Sequence, residues 1–219
     1  MSAVIPAAAT LPPRVATGGP PPREPRGRAA SIGLWVFMGV ASSLFLLFTW
    51  AYVMRMSEGD AVALDLPPQL MLSTALLLAG SVALELAHGV ARESGMAPTA
   101  SNLARARRLL VAGGLCAMAF LGSQLWAWQA MLSAQVMPAS HPAGSFFYLL
   151  TAMHGLHLAG GLVGWTWSAS IAWRQPAAGA WRIGLCARYW HFMLAVWLAI
   201  YALLRWMTPE AARFICGVA

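Results

Sequence analysis

Very few side chains in this sequence are of a type and spacing that could do chemistry. His154-Gly155-Leu156-His157 sets two imidazoles three residues apart, on one face of a helix. This is not the HExxH pattern of a zinc hydrolase, whose ligands stand four apart around a glutamate. A metal also needs a third or fourth ligand at the same depth. Helical rise puts His154 roughly 14 Å from one rim of its segment and His88 roughly 5 Å from the opposite rim, so these two do not converge. His88 and His191 both fall roughly 5–8 Å from one rim, where two axial imidazoles are able to hold a b-type haem. The alternative is that each bonds to a carbonyl or to Glu85 across a helix interface. Cys116, Cys186 and Cys216 are widely separated, without CxxC or a neighbouring histidine at metal spacing, and read as apolar filling.

The elements that carry these residues are apolar. The chain has 219 residues, of which 59% are hydrophobic and 10% charged, with a mean hydropathy of +0.64. A soluble domain carries roughly 25% charged residues, so this composition indicates a membrane protein. Five stretches of about 20 residues are long enough to cross about 30 Å of hydrocarbon as helices. They are Ile32–Met54 after a candidate N-cap at Ser31, then 69–91, 109–132, 145–173 and 186–207. Residues 1–30, rich in proline and arginine and lacking a signal-peptide apolar core, read as a disordered tail. Residues 208–219 form a second tail.

Charge orients the spans. The net charge is +7, from fourteen arginines and no lysine. Arg14, Arg23, Arg26, Arg28, Arg92, Arg105, Arg107, Arg108, Arg174, Arg182 and Arg188 lie on one side of the five spans, and only Arg55, Arg205 and Arg213 on the other. The positive-inside bias then places the N-terminus in the cytoplasm and the C-terminus in the periplasm. Because the basic residues flank apolar segments, nucleic acid is not the partner. Trp50, Trp126, Trp128, Trp173, Trp181, Trp190 and Trp206 stand near span ends, where indoles anchor helices in the headgroup region. Gly155, Gly160 and Gly164 recur at helical spacing in the fourth span, the last two as GxxxG, and permit close approach of another helix.

Glu85 is the only carboxylate inside the spans, so no chain of proton carriers crosses the membrane within this polypeptide. There is no P-loop, no GxGxxG after a strand, no GxSxG and no pair of broken inverted repeats. Independent catalysis is not expected.

Taken together, several segments resemble subunit III of the haem–copper respiratory oxidases, the cytochrome c and quinol oxidase family. Residues 145–160, SFFYLLTAMHGLHLAG, are similar to that family's S-x-F-F-x-x-T-x-x-H-G-x-H-x-x-x-G signature. Tyr189-Trp190-His191-Phe192, followed by Val196-Trp197 and Tyr201, resembles its C-terminal helix. Weaker matches occur in the same order at residues 33–52, 72–88 and 120–124.

The resemblance implies a five-helix version of a fold that often has seven, without a redox centre of its own. It further implies an accessory subunit of a proton-pumping terminal oxidase, packed on catalytic subunit I, with subunit II in the same complex, and holding phospholipid between its helices. His154, His157, Tyr189, Trp190 and His191 carry the likeness and are the candidate structural polar cluster. His88, Arg92, Arg105, Arg108 and Arg188 are candidates for lipid headgroups. The family's buried carboxylates fall here on Ala41, Ala127, Gly184 and Leu194, which puts roles depending on those acids in doubt. The related accessory subunit of nitric oxide reductase is the alternative within this fold, and a b-haem oxidoreductase using His88 and His191 is the alternative outside it. A small transporter is the third class.

Overall fold

A computed structural model describes residues 26–58, 65–96, 99–136, 142–174 and 180–217. They form six helices: α1 (Arg26–Met56), α2 (Gln69–Met96), α3 (Ala100–Ser133), α4 (Pro142–Arg174), α5 (Ala180–Trp206) and the short α6 (Pro209–Cys216). The first five are long and apolar enough to cross a membrane, and no strand occurs among the described residues. The all-α, five-span expectation is thus met, whereas the expected boundaries are too short at most ends.

The extensions have local causes. Arg26, the first described residue, is already helical, so α1 reaches at least to residue 26. Residues 26–30, expected in a disordered tail, are therefore helical, and the rest of that tail lies outside the described residues. Ser31 is not an N-cap but an interior residue, whose hydroxyl accepts a 2.9 Å bond from Arg188. In α3 the missed cap is Thr99, whose hydroxyl accepts from the Asn102 amide, so the helix begins nine residues before Leu109 and includes Arg105, Arg107 and Arg108. In the C-terminal tail Thr208 caps α6 and Gly217 closes it in the left-handed conformation. Cys216 then rests on Met54 of α1.

Glycine decides where helices come closest. An added Cβ at Gly80 would stand 3.1 Å from the Cys116 Cβ and 3.3 Å from the Gly113 carbonyl, and one at Gly113 would stand 2.6 Å from Leu84. The α2–α3 seam is therefore a backbone-to-backbone contact, the form of association that apolar surface alone does not drive in lipid. On the other side of α3 the Trp165 indole lies flat over Gly114 and donates to the Leu110 carbonyl at 3.0 Å, which joins α3 to α4.

Gly114→Val would drive the Trp165 ring off α3 and break its hydrogen bond. The expected cost is about 1–3 kcal/mol, read as an earlier thermal unfolding transition of the purified protein in detergent. Gly122→Ala, where nothing lies within 4 Å of the added carbon, is the control and should leave the transition unmoved. Equal transitions for both would refute the packing assignment.

Candidate functional site

At mid-bundle, all five long helices send a side chain into one layer. His154 of α4 is fully buried, with its ring centroid 5.2 Å from Trp197 of α5, 5.5 Å from Phe120 of α3 and 6.3 Å from Phe45 of α1. Trp197 packs edge-on against Phe120 and donates its indole N–H to Thr74 of α2 at 2.9 Å. Neither nitrogen of His154 has a hydrogen-bond partner among the described residues, so the imidazole acts here as a flat ring among flat rings.

Around this layer, polar side chains tie helix to helix. Gln124 donates to Ser73 (α3 to α2, 2.8 Å), and Trp128 donates to Thr151 (α3 to α4, 3.0 Å). The Tyr189 hydroxyl donates to the His157 carbonyl (α5 to α4, 2.8 Å). Nδ1 of His157 bonds the Met153 carbonyl of its own helix at 2.7 Å, leaving its ring against Phe37 and Phe45 of α1. Of the candidate polar cluster, His154, His157 and Tyr189 therefore come together at the α1–α4–α5 junction. Trp190 sits beside them, buried between Gly80 and Gly161. That position corrects its reading as an interfacial anchor, as does the Trp128 bond for that residue. Trp50, Trp126, Trp173 and Trp206 do face outward.

His191 belongs to a separate set on the outer face of α2 and α5. Its Nδ1 meets Ser81 Oγ at 2.5 Å and its Nε2 meets Glu85 Oε2 at 3.1 Å. His88 approaches the other Glu85 oxygen at 3.8 Å. The His88 ring occupies the space where a Gly184 side chain would stand: an added Cβ there would lie 2.7 Å from Nε2. Both nitrogens of His191 are thus engaged, and His88 is pressed onto backbone. Among the described residues, no three of histidine, cysteine, aspartate and glutamate are grouped to hold a metal ion.

A cavity of about 550 Å³ opens between α1 and the α4–α5 pair, toward the arginine-rich end. Gly33, Phe37, Gly160, Gly164, Trp167 and Tyr189 are among its walls. Gly160 and Gly164 meet nothing within 4 Å, whereas a Cβ at Gly161 would strike Tyr189. The close approach on α4 is therefore at Gly161, and the GxxxG pair lines open space. Two cations border this region. Arg182, not singled out from the sequence, lies between Trp167 and Trp181 at 5.2 and 4.5 Å from the ring centroids. Arg188 holds Ser31 and covers Trp35. His88, Arg92, Arg105 and Arg108 sit on α2 and α3 and are not among the cavity's walls. A signal for Arg182 was present: it falls between Trp181 and the start of an apolar run, where a guanidinium stacks on indole.

No protein-family model matches the chain. Among curated proteins, it is 31% identical over 101 residues to "Probable cytochrome c oxidase subunit 3" of Mycobacterium tuberculosis, covering 45% of this chain and 49% of that one. It is 28% identical over 191 residues to cytochrome c oxidase subunit 3 of Branchiostoma lanceolatum, covering 80% and 68%. It is 24% identical over 175 residues to cytochrome bo(3) ubiquinol oxidase subunit 3 of Pseudomonas aeruginosa, covering 77% and 80%. The chain matches about half the length of its mycobacterial relatives. Relatives of both the cytochrome c and the ubiquinol type carry the name oxidase subunit 3, the family that residues 145–160 and 189–201 of this sequence resemble.

Proposed function

We propose that this chain is the non-redox accessory subunit III of a proton-pumping haem–copper terminal oxidase in a bacterial inner membrane. It packs on catalytic subunit I, with subunit II in the same complex, and its N-terminus lies in the cytoplasm. The single observation that carries this reading is that four membrane-embedded side-chain hydrogen bonds join one helix to the next. Trp197–Thr74, Gln124–Ser73, Trp128–Thr151 and Tyr189–His157 are all interhelical bonds, made by groups that would otherwise be costly in hydrocarbon. A chain built this way is a rigid support, and haem and copper belong to its partners. The engaged nitrogens of His191 and the seating of His88 on Gly184 favour hydrogen-bonded packing over axial haem ligation.

The finer part of the proposal is structural phospholipid. The cavity between α1 and α4–α5 has a volume inside the roughly 300–1,000 Å³ usual for ligand sites. Its walls are apolar and built from small residues, which suits an acyl chain. Arg182 and Arg188 supply cations for a headgroup at the arginine-rich end.

Solubilised in mild detergent, the chain should leave the membrane attached to a much larger protein showing haem absorbance. Purification of the chain alone, or a Soret band of its own that disappears in His191→Ala, would defeat the reading. His154→Phe should keep that association and the oxygen-reduction rate, because the ring stacks without hydrogen bonds. His154→Ala should lower stability by about 2–5 kcal/mol through the void it leaves. Gly160→Leu, which fills the cavity from an open wall, should lose bound phospholipid in native mass spectrometry while helical content stays constant. Unchanged lipid content would remove the cavity from the proposal.

A further inference from the structure

The outward surfaces of the five long helices differ in one respect. Those of α1, α3 and α4 present apolar side chains along their middle turns, such as Val40 and Leu46, Leu115 and Leu125, and Leu156 and Val163. Acyl chains suit all of them. The surface shared by α2 and α5 instead exposes a carboxylate and an imidazole. Glu85 is 56% exposed and His191 46% exposed, although they bond to each other at 3.1 Å. Glu85 lies seven residues before Arg92, roughly 10 Å deeper along the helix. That is a depth at which lipid offers no donor and an ionisable group needs protein around it.

The same surface has the form of a helix seat. Beside an exposed row at Leu72, Ala79, Leu86 and Glu93, the exposed residues on α2 include Met71, Ala75, Leu78, Val82, Glu85 and Gly89, at alternating steps of four and three. This is the seam spacing of one helix laid along another. Beside it, α5 exposes His191, Ala195 and Leu198, again at steps of four and three. The bonds from Trp197 to Thr74 and between His191 and Ser81 hold α2 and α5 side by side. The result is a shallow trough, with small residues at Ala75, Gly89 and Ala195 and one polar contact at Glu85–His191.

We propose that this trough docks a transmembrane helix of the larger oxidase partner, one that presents a hydrogen-bond donor or cation to Glu85. The inference rests on the reading given under Proposed function and names the face that reading leaves open. It also moves the expected partner contact away from the Gly160/Gly164 wall, which faces the cavity between α1 and α4–α5. Charge complementarity selects the occupant: a lipid tail cannot satisfy Glu85, and a helix carrying Arg, Lys, Asn or Gln can.

The test uses the whole complex in its native membrane. Val82→benzoylphenylalanine places a photoreactive group in the trough, and Val163→benzoylphenylalanine places one on the outer face of α4. After irradiation, the first should yield an adduct identified by mass spectrometry as a haem-bearing oxidase subunit, and the second only lipid adducts. In parallel, Glu85→Leu should lower the partner retained through a detergent wash by up to about tenfold, with Glu85→Gln retaining most of it. A lipid adduct alone at position 82, or a protein adduct at 163 with none at 82, overturns the docking face while the accessory-subunit reading stands. Failure of any haem protein to co-purify with the unmodified chain overturns both.

Discussion

A membrane-embedded helix gains little from burying one more leucine, because the lipid it leaves is as apolar as the neighbour it meets. What holds this bundle together is therefore close backbone approach and a small number of interhelical hydrogen bonds. The mid-bundle layer concentrates both. Trp197 bridges to Thr74 and stacks on Phe120, and His154 fills the space between them and Phe45, so that α1 to α5 meet at one depth. The glycine seam of α2 and α3 and the Tyr189–His157 bond both lie on the side of it toward the arginine-rich end. Displacing any one ring shifts several helices, so this layer fixes their relative positions.

That constraint also sorts the tryptophans. An indole has a single donor, which in hydrocarbon gains from a partner or from the headgroups; the buried Trp190 N–H, with no partner among the described residues, is the exception. Trp128, Trp165 and Trp197 donate to groups on neighbouring helices. Trp50, Trp126 and Trp206 face outward. Position along the sequence does not separate the two uses, because Trp126 and Trp128 stand two residues apart and point to different sides of the same helix.

Five spans, their order and the residues worth attention were legible from hydropathy, arginine placement and the His154–His157 and Tyr189–His191 signatures. Element ends were less so. Polar and charged first turns such as Thr99–Arg108 carry weak hydropathy and extend the helix beyond the hydrocarbon, where only the cap at Thr99 betrays the start. The site was half legible. The bonding of Tyr189 to a backbone carbonyl leaves no mark on sequence, and the open face of Gly160 and Gly164 looks the same in one dimension as a packed one. Gly80, Gly113 and Gly114 could have been read by the small-residue rule applied to the fourth span. Their spacing does not form a GxxxG, because they act across two helices.

The positions at which the family resemblance implies buried acids hold apolar residues here. Ala41 and Ala127 are core residues, and Gly184 is covered by the His88 ring. Leu194 packs against the core. A carboxylate at 184 would compete with His88 for the same space. Glu85, the carboxylate nearer the middle of α2, stands one turn from His88 on the opposite side of the ring and points outward. The interior of the described bundle therefore carries no carboxylate, and its ionisable pair lies on the surface.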